Sequence, residues 1–396
     1  PRLIELAKTN ENHTVQENLA YVMIHLTEGT KVQTNFLVQE KGFISVLVKL
    51  IDSPDDFIAE KAITTLGNIA AVDDSEHCEL VLQSGIVKSL LRLLKRTCRL
   101  SILKAASKTF AACWPPDSVC GCCHPKCSDF STVEAGLDTI TELLTSNDKD
   151  ILLNACQALF RFLDELNYEE VNAVISMGEF VKPLLALTSQ GLPDVQEIAL
   201  KSLYLITTAG DECIQAITDC DGIASIKTAL SSSHEKTQHL ACCAISNIIA
   251  GDKERIQLAI DANVVPCLVQ VLSSEKNKKH ALWSLYTATK SGSAEQIKYL
   301  VTKDCVRHLC GMLVTRFMKV GSTNSVGQDC NTALIALWAL KNVSTGKTER
   351  ITLCIWYCDL TLFSHATNCR YFELARALHR GCLQRHRAST LLIFKR

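Results

Sequence analysis

The chain has 396 residues, a net charge of -1 and 47% hydrophobic residues. So even a charge balance excludes a dominant electrostatic pull towards nucleic acid or an anionic membrane. No run reaches the roughly 18 apolar residues of a membrane span, and the opening "PRLIELAKTNENH" lacks the apolar core of a secretion signal. The 20 Cys sit mostly alone within apolar helical patterns, as at Cys156, Cys242, Cys243, Cys267 and Cys310. They read as small buried hydrophobes in a reducing, intracellular compartment.

In chain order, one pattern recurs. "KGFISVLVKLI" at Lys41, "SGIVKSLLRLL" at Ser84, "MGEFVKPLLAL" at Met177, "CDGIASIKTAL" at Cys220 and "ANVVPCLVQVL" at Ala262 are versions of one unit. The marker residue falls at 42, 85, 136, 178, 222, 263 and 305. A period of about 40–47 residues is typical of HEAT and armadillo solenoids. Each unit predicts a Gly-led turn, a helix such as Phe43–Leu50, a polar break such as "DSPDD", and a long helix such as "FIAEKAITTLGNIA". Gly29 and Gly251 read as C-terminal helix caps with positive φ. No strand-period alternation persists. The predicted fold is all-α: an armadillo-repeat, right-handed superhelical solenoid of about eight repeats. The array is assigned to residues 1–344, followed by a non-repeat Cys/Arg-rich tail at 345–396.

Two segments interrupt the period. "CWPPDSVCGCCHPKC" (Cys113–Cys127) crowds Cys120, Cys122, Cys123, His124 and Cys127 into one loop. It admits a zinc site, a redox-sensitive patch or a plain inter-repeat loop. "KVGSTNSVGQDCN" (Lys319–Asn331) is Gly/Ser-rich and reads as a flexible loop. The tail holds Arg370, Arg376, Arg380, Arg385, Arg387, Lys395 and Arg396 against Glu373. It is open to RNA, an anionic membrane or an acidic partner, or is a solvated tail. There is no phosphate loop, HExxH or nucleophile elbow, so no enzyme and no cofactor is expected.

"AITTLGNIA" (Ala62–Ala70), "AISNIIAG" (Ala244–Gly251), "NVVPCLVQVL" (Asn263–Leu272), "SGSAEQIKYLV" (Ser291–Val301) and "EGTKVQTNFLV" (Glu28–Val38) together resemble importin α, the nuclear-import adaptor. The resemblance covers roughly residues 1–344. It implies a non-catalytic adaptor of cytoplasm and nucleus. Such an adaptor binds nuclear-localisation-signal peptides of cargo proteins on a concave groove and pairs with importin β, with no nucleic-acid or membrane partner. Pro1 aligns inside the family's first complete ladder repeat, so the basic importin β-binding arm is expected to be missing from this chain.

The family's groove carries Trp and Asn four residues apart on each third helix. Trp rings hold Lys and Arg stems, Asn bonds the peptide backbone, and acids take the cationic heads. Carried over residue by residue, the ladder is degenerate. The pairs are Tyr21/His25, Thr64/Asn68, Lys108/Ala112, Gln157/Arg161, Lys201/Leu205, Cys243/Asn247, Trp283/Thr287 and Trp338/Asn342. Gly29 and Thr34 match the lining of the principal Lys pocket. Its expected Asp aligns with Val72, next to Asp73, and two expected Glu positions fall on Leu240 and His280. The implied peptide-binding residues are Tyr21, His25, Gly29, Thr34, Asn68, Asp73, Asn247, Trp283, Trp338 and Asn342, lining one groove. Lys108, Arg161 and Lys201 place cations where a basic peptide would lie. Read as residues alone, the Asn side chains also fit local caps, the Trp rings half-buried packing, and the three cations solvated charges. The alternative is an armadillo scaffold or regulatory paralogue with weak or no classical signal binding.

Overall fold

The computed structural model describes residues 2–9, 12–40, 42–72, 75–96, 99–113, 130–177, 179–250, 252–274, 277–319 and 335–343. Among them every regular element is a helix. The Cys120–Cys127 cluster, the loop at 320–334, the tail, Asp73, Gly178 and Gly251 lie outside the described residues.

Two compact units divide the chain, Pro1–Ala216 and Ile217–Arg396. The repeat is built of three helices. In the first unit, α1 (Arg2–Thr9) and α2 (His13–Thr27) are followed by two full triplets. These are α3 (Lys31–Gln39), α4 (Phe43–Leu50), α5 (Asp56–Ala70), and α6 (Ser75–Gln83), α7 (Ile86–Arg96), α8 (Leu100–Ala112). Then come the pair α9 (Phe130–Leu143), α10 (Lys149–Glu165), and the triplet α11 (Tyr168–Met177), α12 (Val181–Leu187), α13 (Pro193–Thr208). α14 (Asp211–Asp219), α15 (Gly222–Leu230) and α16 (Glu235–Ile248) form the next triplet. α17 (Lys253–Asp261), α18 (Val264–Val271) and α19 (Lys278–Ser291) follow, then α20 (Ala294–Thr302) and α21 (Cys305–Lys319). A last helix, α22, spans 335–343. This is an all-α armadillo solenoid of about eight repeats.

Local chemistry sets the boundaries. Asp55 caps α5 by accepting from the amides of Phe57 and Ile58, and Asp148 caps α10 through Asp150 and Ile151. Ser293 and Gln296 close a capping box on α20. Before α4, α7, α15, α18 and α21 the turn takes a left-handed residue. Gly42 (φ 90) and Gly85 (φ 80) supply it, as do Asp221, Asn263 and Asp304 (φ 56, 56 and 60). This corrects the marker at two places: Gly222 and Cys305 are first helical residues, one step after the turn. Gly136 is no turn at all but lies inside α9. Gly29 also departs from expectation, since its φ is not positive. A Cβ there would collide with the Gln33 carboxamide, whose Oε1 accepts from the Thr30 amide at 2.7 Å.

The core runs between third helices. In the first unit α2, α5, α8, α10 and α13 pack consecutively, and in the second α16 packs on α19. Ile58, Ile63, Leu66 and Ile69 on α5 are fully buried, as are Leu159 on α10 and Ile245 and Ile248 on α16. Each such side chain contributes about 1.5–3 kcal/mol. Polar side chains staple successive third helices by bonding the previous repeat's backbone. Thr109 donates to the Ile63 carbonyl at 3.0 Å, and Ser284 donates to the Cys242 carbonyl at 3.2 Å. Asn154 reaches the Ser107 hydroxyl at 3.0 Å.

Candidate functional site: the outer face of the third helices

A position recurs on every third helix where one face escapes the core. In the first unit it holds Tyr21 and His25 on α2, Thr64 and Asn68 on α5, Lys108 and Ala112 on α8, Gln157 and Arg161 on α10, and Lys201 and Leu205 on α13. Of these, Tyr21, His25 and Lys108 are exposed and the rest half-buried. Tyr21 and His25 stack with an interplanar angle of 17°. His25 also contacts Glu28 at 3.1 Å. Asn68 turns its amide back to the Thr27 hydroxyl at 3.5 Å, a limiting distance for a hydrogen bond. Gly29 is exposed, whereas Thr34 is 1% exposed with its hydroxyl towards the Thr30 carbonyl. Thr34 therefore supports the turn from beneath instead of offering its hydroxyl to a ligand.

The aromatic position in this unit already carries a cation. The Lys61 ammonium lies 5.9 Å from the Tyr21 ring centroid and 5.1 Å from that of Phe57. The two rings are 4.9 Å apart. Such a pair of faces is what would receive a lysine from outside. Two of the three cations expected to repel a basic peptide are committed locally. Arg161 donates to the Ala111 carbonyl at 2.6 Å, and Lys201 pairs with Glu197 at 2.9 Å.

The second unit keeps an open aromatic row. Trp283 on α19 and Trp338 on α22 are 44% and 41% exposed. Tyr286 bridges them, 5.4 Å from Trp283 and 5.8 Å from Trp338, centroid to centroid. Asn342, one turn beyond Trp338, bonds the Thr289 hydroxyl at 3.3 Å. Asn247 is half-buried on α16, one turn beyond Cys243. Cys243 holds the ladder's ring position in that repeat, with His239 and His280 beside it. The structure thus groups Trp283 and Trp338 around Tyr286 in one unit, with Asn342 on Thr289, and Tyr21 with His25, Phe57 and Lys61 in the other, with Asn68 on Thr27. Tyr286, Phe57 and Lys61 were not singled out in the sequence. Tyr286 and Lys61 sit three residues from the ladder positions Trp283 and Thr64, and Phe57 lies one turn before Lys61 on the same helix face.

An armadillo/β-catenin-like repeat profile matches residues 210–250. Importin subunit alpha-8 of Arabidopsis thaliana is 34% identical over 318 residues, 79% of this chain and 68% of that protein. The chain belongs to the importin α family. Importin subunit alpha-1b of Oryza sativa subsp. japonica is also 34% identical, over 79% of this chain and 57% of its own length. Among solved structures, an engineered protein aligns over 98% of this chain and 99% of its own, with a TM-score of 0.63 and 23% identity. A designed armadillo repeat protein in complex with peptide (KR)4 covers 61% of this chain and 97% of its own, with a TM-score of 0.52 and 22% identity. These last two likenesses concern the fold alone. The importin α ladder carried over onto this chain keeps both members of the pair only at Trp338 and Asn342.

Proposed function

We propose that this importin α-family chain is a non-catalytic adaptor that holds extended peptides of cargo proteins on the outer face of its third helices. The binding is concentrated in the second unit. The observation that carries this is the half-exposed row Trp283–Tyr286–Trp338 with Asn342 beside it. An extended peptide presents every second side chain on one side, a repeat of about 6.8 Å. That is close to the ring-to-ring steps, so successive Lys or Arg stems can lie over the exposed faces of neighbouring rings. Each cation–π contact contributes about 0.5–2 kcal/mol. The partners on this reading are nuclear-localisation-signal cargo and importin β, and the compartments are cytoplasm and nucleus. The array is taken as 1–344, with 345–396 outside it.

The second reading is a scaffold or regulatory paralogue with weak classical signal binding. It is favoured by Lys61 over the Tyr21 and Phe57 rings and by Thr64, Lys108 and Gln157 at ring positions. Calorimetric titration of a lysine-rich signal peptide separates the two. The adaptor reading expects binding that is lost in a Trp283→Ala, Trp338→Ala double variant. Binding unchanged in that variant, or none by the native chain, overturns it in favour of the scaffold.

A further inference from the structure

We propose that His239, Cys243 and His280 form a zinc site on the third-helix face of the second unit, with one coordination position left open. The cluster joins two helices. His239 and Cys243 lie one turn apart on α16 and so share a face, while His280 enters from the first turn of α19. One donor atom from each residue lies within 4.8 Å of the other two. The Cys243 Sγ is 3.4 Å from His280 Nδ1 and 3.8 Å from His239 Nε2. Tetrahedral zinc, with Zn–S about 2.3 Å and Zn–N about 2.0–2.1 Å, requires sulfur-to-nitrogen separations of about 3.6 Å. The two observed separations bracket that value, so an ion fits with little movement of either helix. The imidazoles meet edge to face, their centroids 4.0 Å apart.

The surroundings suit neutral nitrogen donors. Burial holds the His239 imidazole below its ordinary range, and burial with the nearby His239 and Lys279 charges takes His280 down to about 4. Both rings therefore keep a free lone pair at neutral pH. Burial pushes the Cys243 thiol up to about 11, so it holds its proton until a metal arrives. Binding forms one Zn–S bond and two Zn–N bonds and releases the thiol proton to solvent. Glu235 lies one turn before His239, and its negative charge acts on that ring and favours a cation bound there. All three ligands are half-buried, close enough to the surface for an ion to enter. Three protein ligands leave a fourth position for water or for a donor atom of a bound partner. Cys243 and His280 occupy places that importin α gives to a ring and an acid, so the loss of that slot coincides with the gain of this ligand set.

The test uses the full chain, reduced with a phosphine and stripped by a chelator. Cobalt(II) titration should give a tetrahedral spectrum with thiolate charge transfer, abolished by stoichiometric zinc. That signal should be lost in Cys243→Ser and in His280→Gln, and kept when Cys120, Cys122, Cys123 and Cys127 are all Ser. Zinc should raise the melting temperature of the native chain and not of Cys243→Ser. X-ray absorption on the zinc-loaded native protein needs no variant and should show two nitrogens and one sulfur. A shell with two or more sulfurs, or a cobalt signal that survives Cys243→Ser, overturns the site.

Discussion

Arg161 on α10 donates its Nη1 proton to the Ala111 carbonyl oxygen, 2.6 Å away in the last turn of α8, one repeat earlier. The last four carbonyls of a helix have no partner within it, and their end carries partial negative charge. Arg161 satisfies one of them with a charged donor. At the position where the resemblance to importin α would put an amide, this chain has a bond between two of its own helices.

Arg161→Ala should therefore act on stability. A hydrogen bond with a charged donor is worth about 1.5–3 kcal/mol. Urea unfolding monitored by circular dichroism should show a loss of this order for Arg161→Ala. Arg161→Lys should restore only part of it, since an ammonium lacks the planar fork. A stability unchanged in Arg161→Ala would mean that the guanidinium is a solvated charge.

Gly67 fixes the closeness of α5 to α8. A Cβ at Gly67 would lie 2.5 Å from the Thr109 hydroxyl oxygen and 3.2 Å from its Cβ. The Thr109 hydroxyl is tied to the Ile63 carbonyl and cannot turn away without breaking that bond. Gly67→Ala gains about 1 kcal/mol of helix propensity but forces two buried helices apart, at about 1–3 kcal/mol. The expected net result is a lower melting temperature. Thr109→Ala should reduce the penalty of Gly67→Ala when the two are combined. A purely additive pair would show that Thr109 is not the obstacle.

The repeat was legible because its signals are local: the left-handed turn residue, the capping Asp, the spacing of apolar residues. Helix α4 falls on Phe43–Leu50, as the sequence reading places it. Where the turn residue is not Gly, as at Asp221 and Asp304, the marker slipped by one, because Asp adopts φ > 0 as well. Gly29 misled for the opposite reason: a Gly at a helix end suggests a left-handed cap, yet here it makes room for Gln33. The site was less legible because its chemistry lies between repeats. Arg161 reaches Ala111, Lys61 covers Tyr21 and His280 meets Cys243, over 37 to 50 residues of sequence. Reading positions one repeat at a time finds the residues but not what they touch.

Lys61 should compete with any basic peptide in the first unit. Its ammonium stands over Tyr21 and Phe57 and pairs with Glu60 at 3.2 Å. Lys61→Ala removes the internal cation and leaves the rings and Glu60 in place. Peptide affinity should then rise by about 0.5–2 kcal/mol, seen by calorimetry in a Trp283→Ala, Trp338→Ala background that silences the other unit. No gain would show that the Tyr21 face takes no lysine.

The last prediction concerns pH. His13, the first residue of α2, contacts Asp55, the cap of α5, and also approaches Glu17 at 3.6 Å. The hydrogen bond to Asp55 raises the His13 pKa above its ordinary 6.5. The same bond, joined by the Ile58 and Phe57 amides, lowers that of Asp55 below 3.8. A raised folded-state His stabilises fully below its unfolded value and loses that effect as pH rises through the folded value. A lowered Asp stabilises above its unfolded value and loses that effect as pH falls through the folded one. Both contributions are fully present together between 3.8 and 6.5, and each fades beyond that window as pH passes its own folded value. Native and His13→Gln chains should therefore differ most in melting temperature within that window. They should converge as pH rises through the raised His13 value, above which the imidazole is neutral and Asp55 still caps α5 alone. Because the His13 imidazole is solvent-exposed, added salt should shrink the difference. A gap that stays constant while the His13 imidazole loses its proton would assign His13 a packing role with no ion pair.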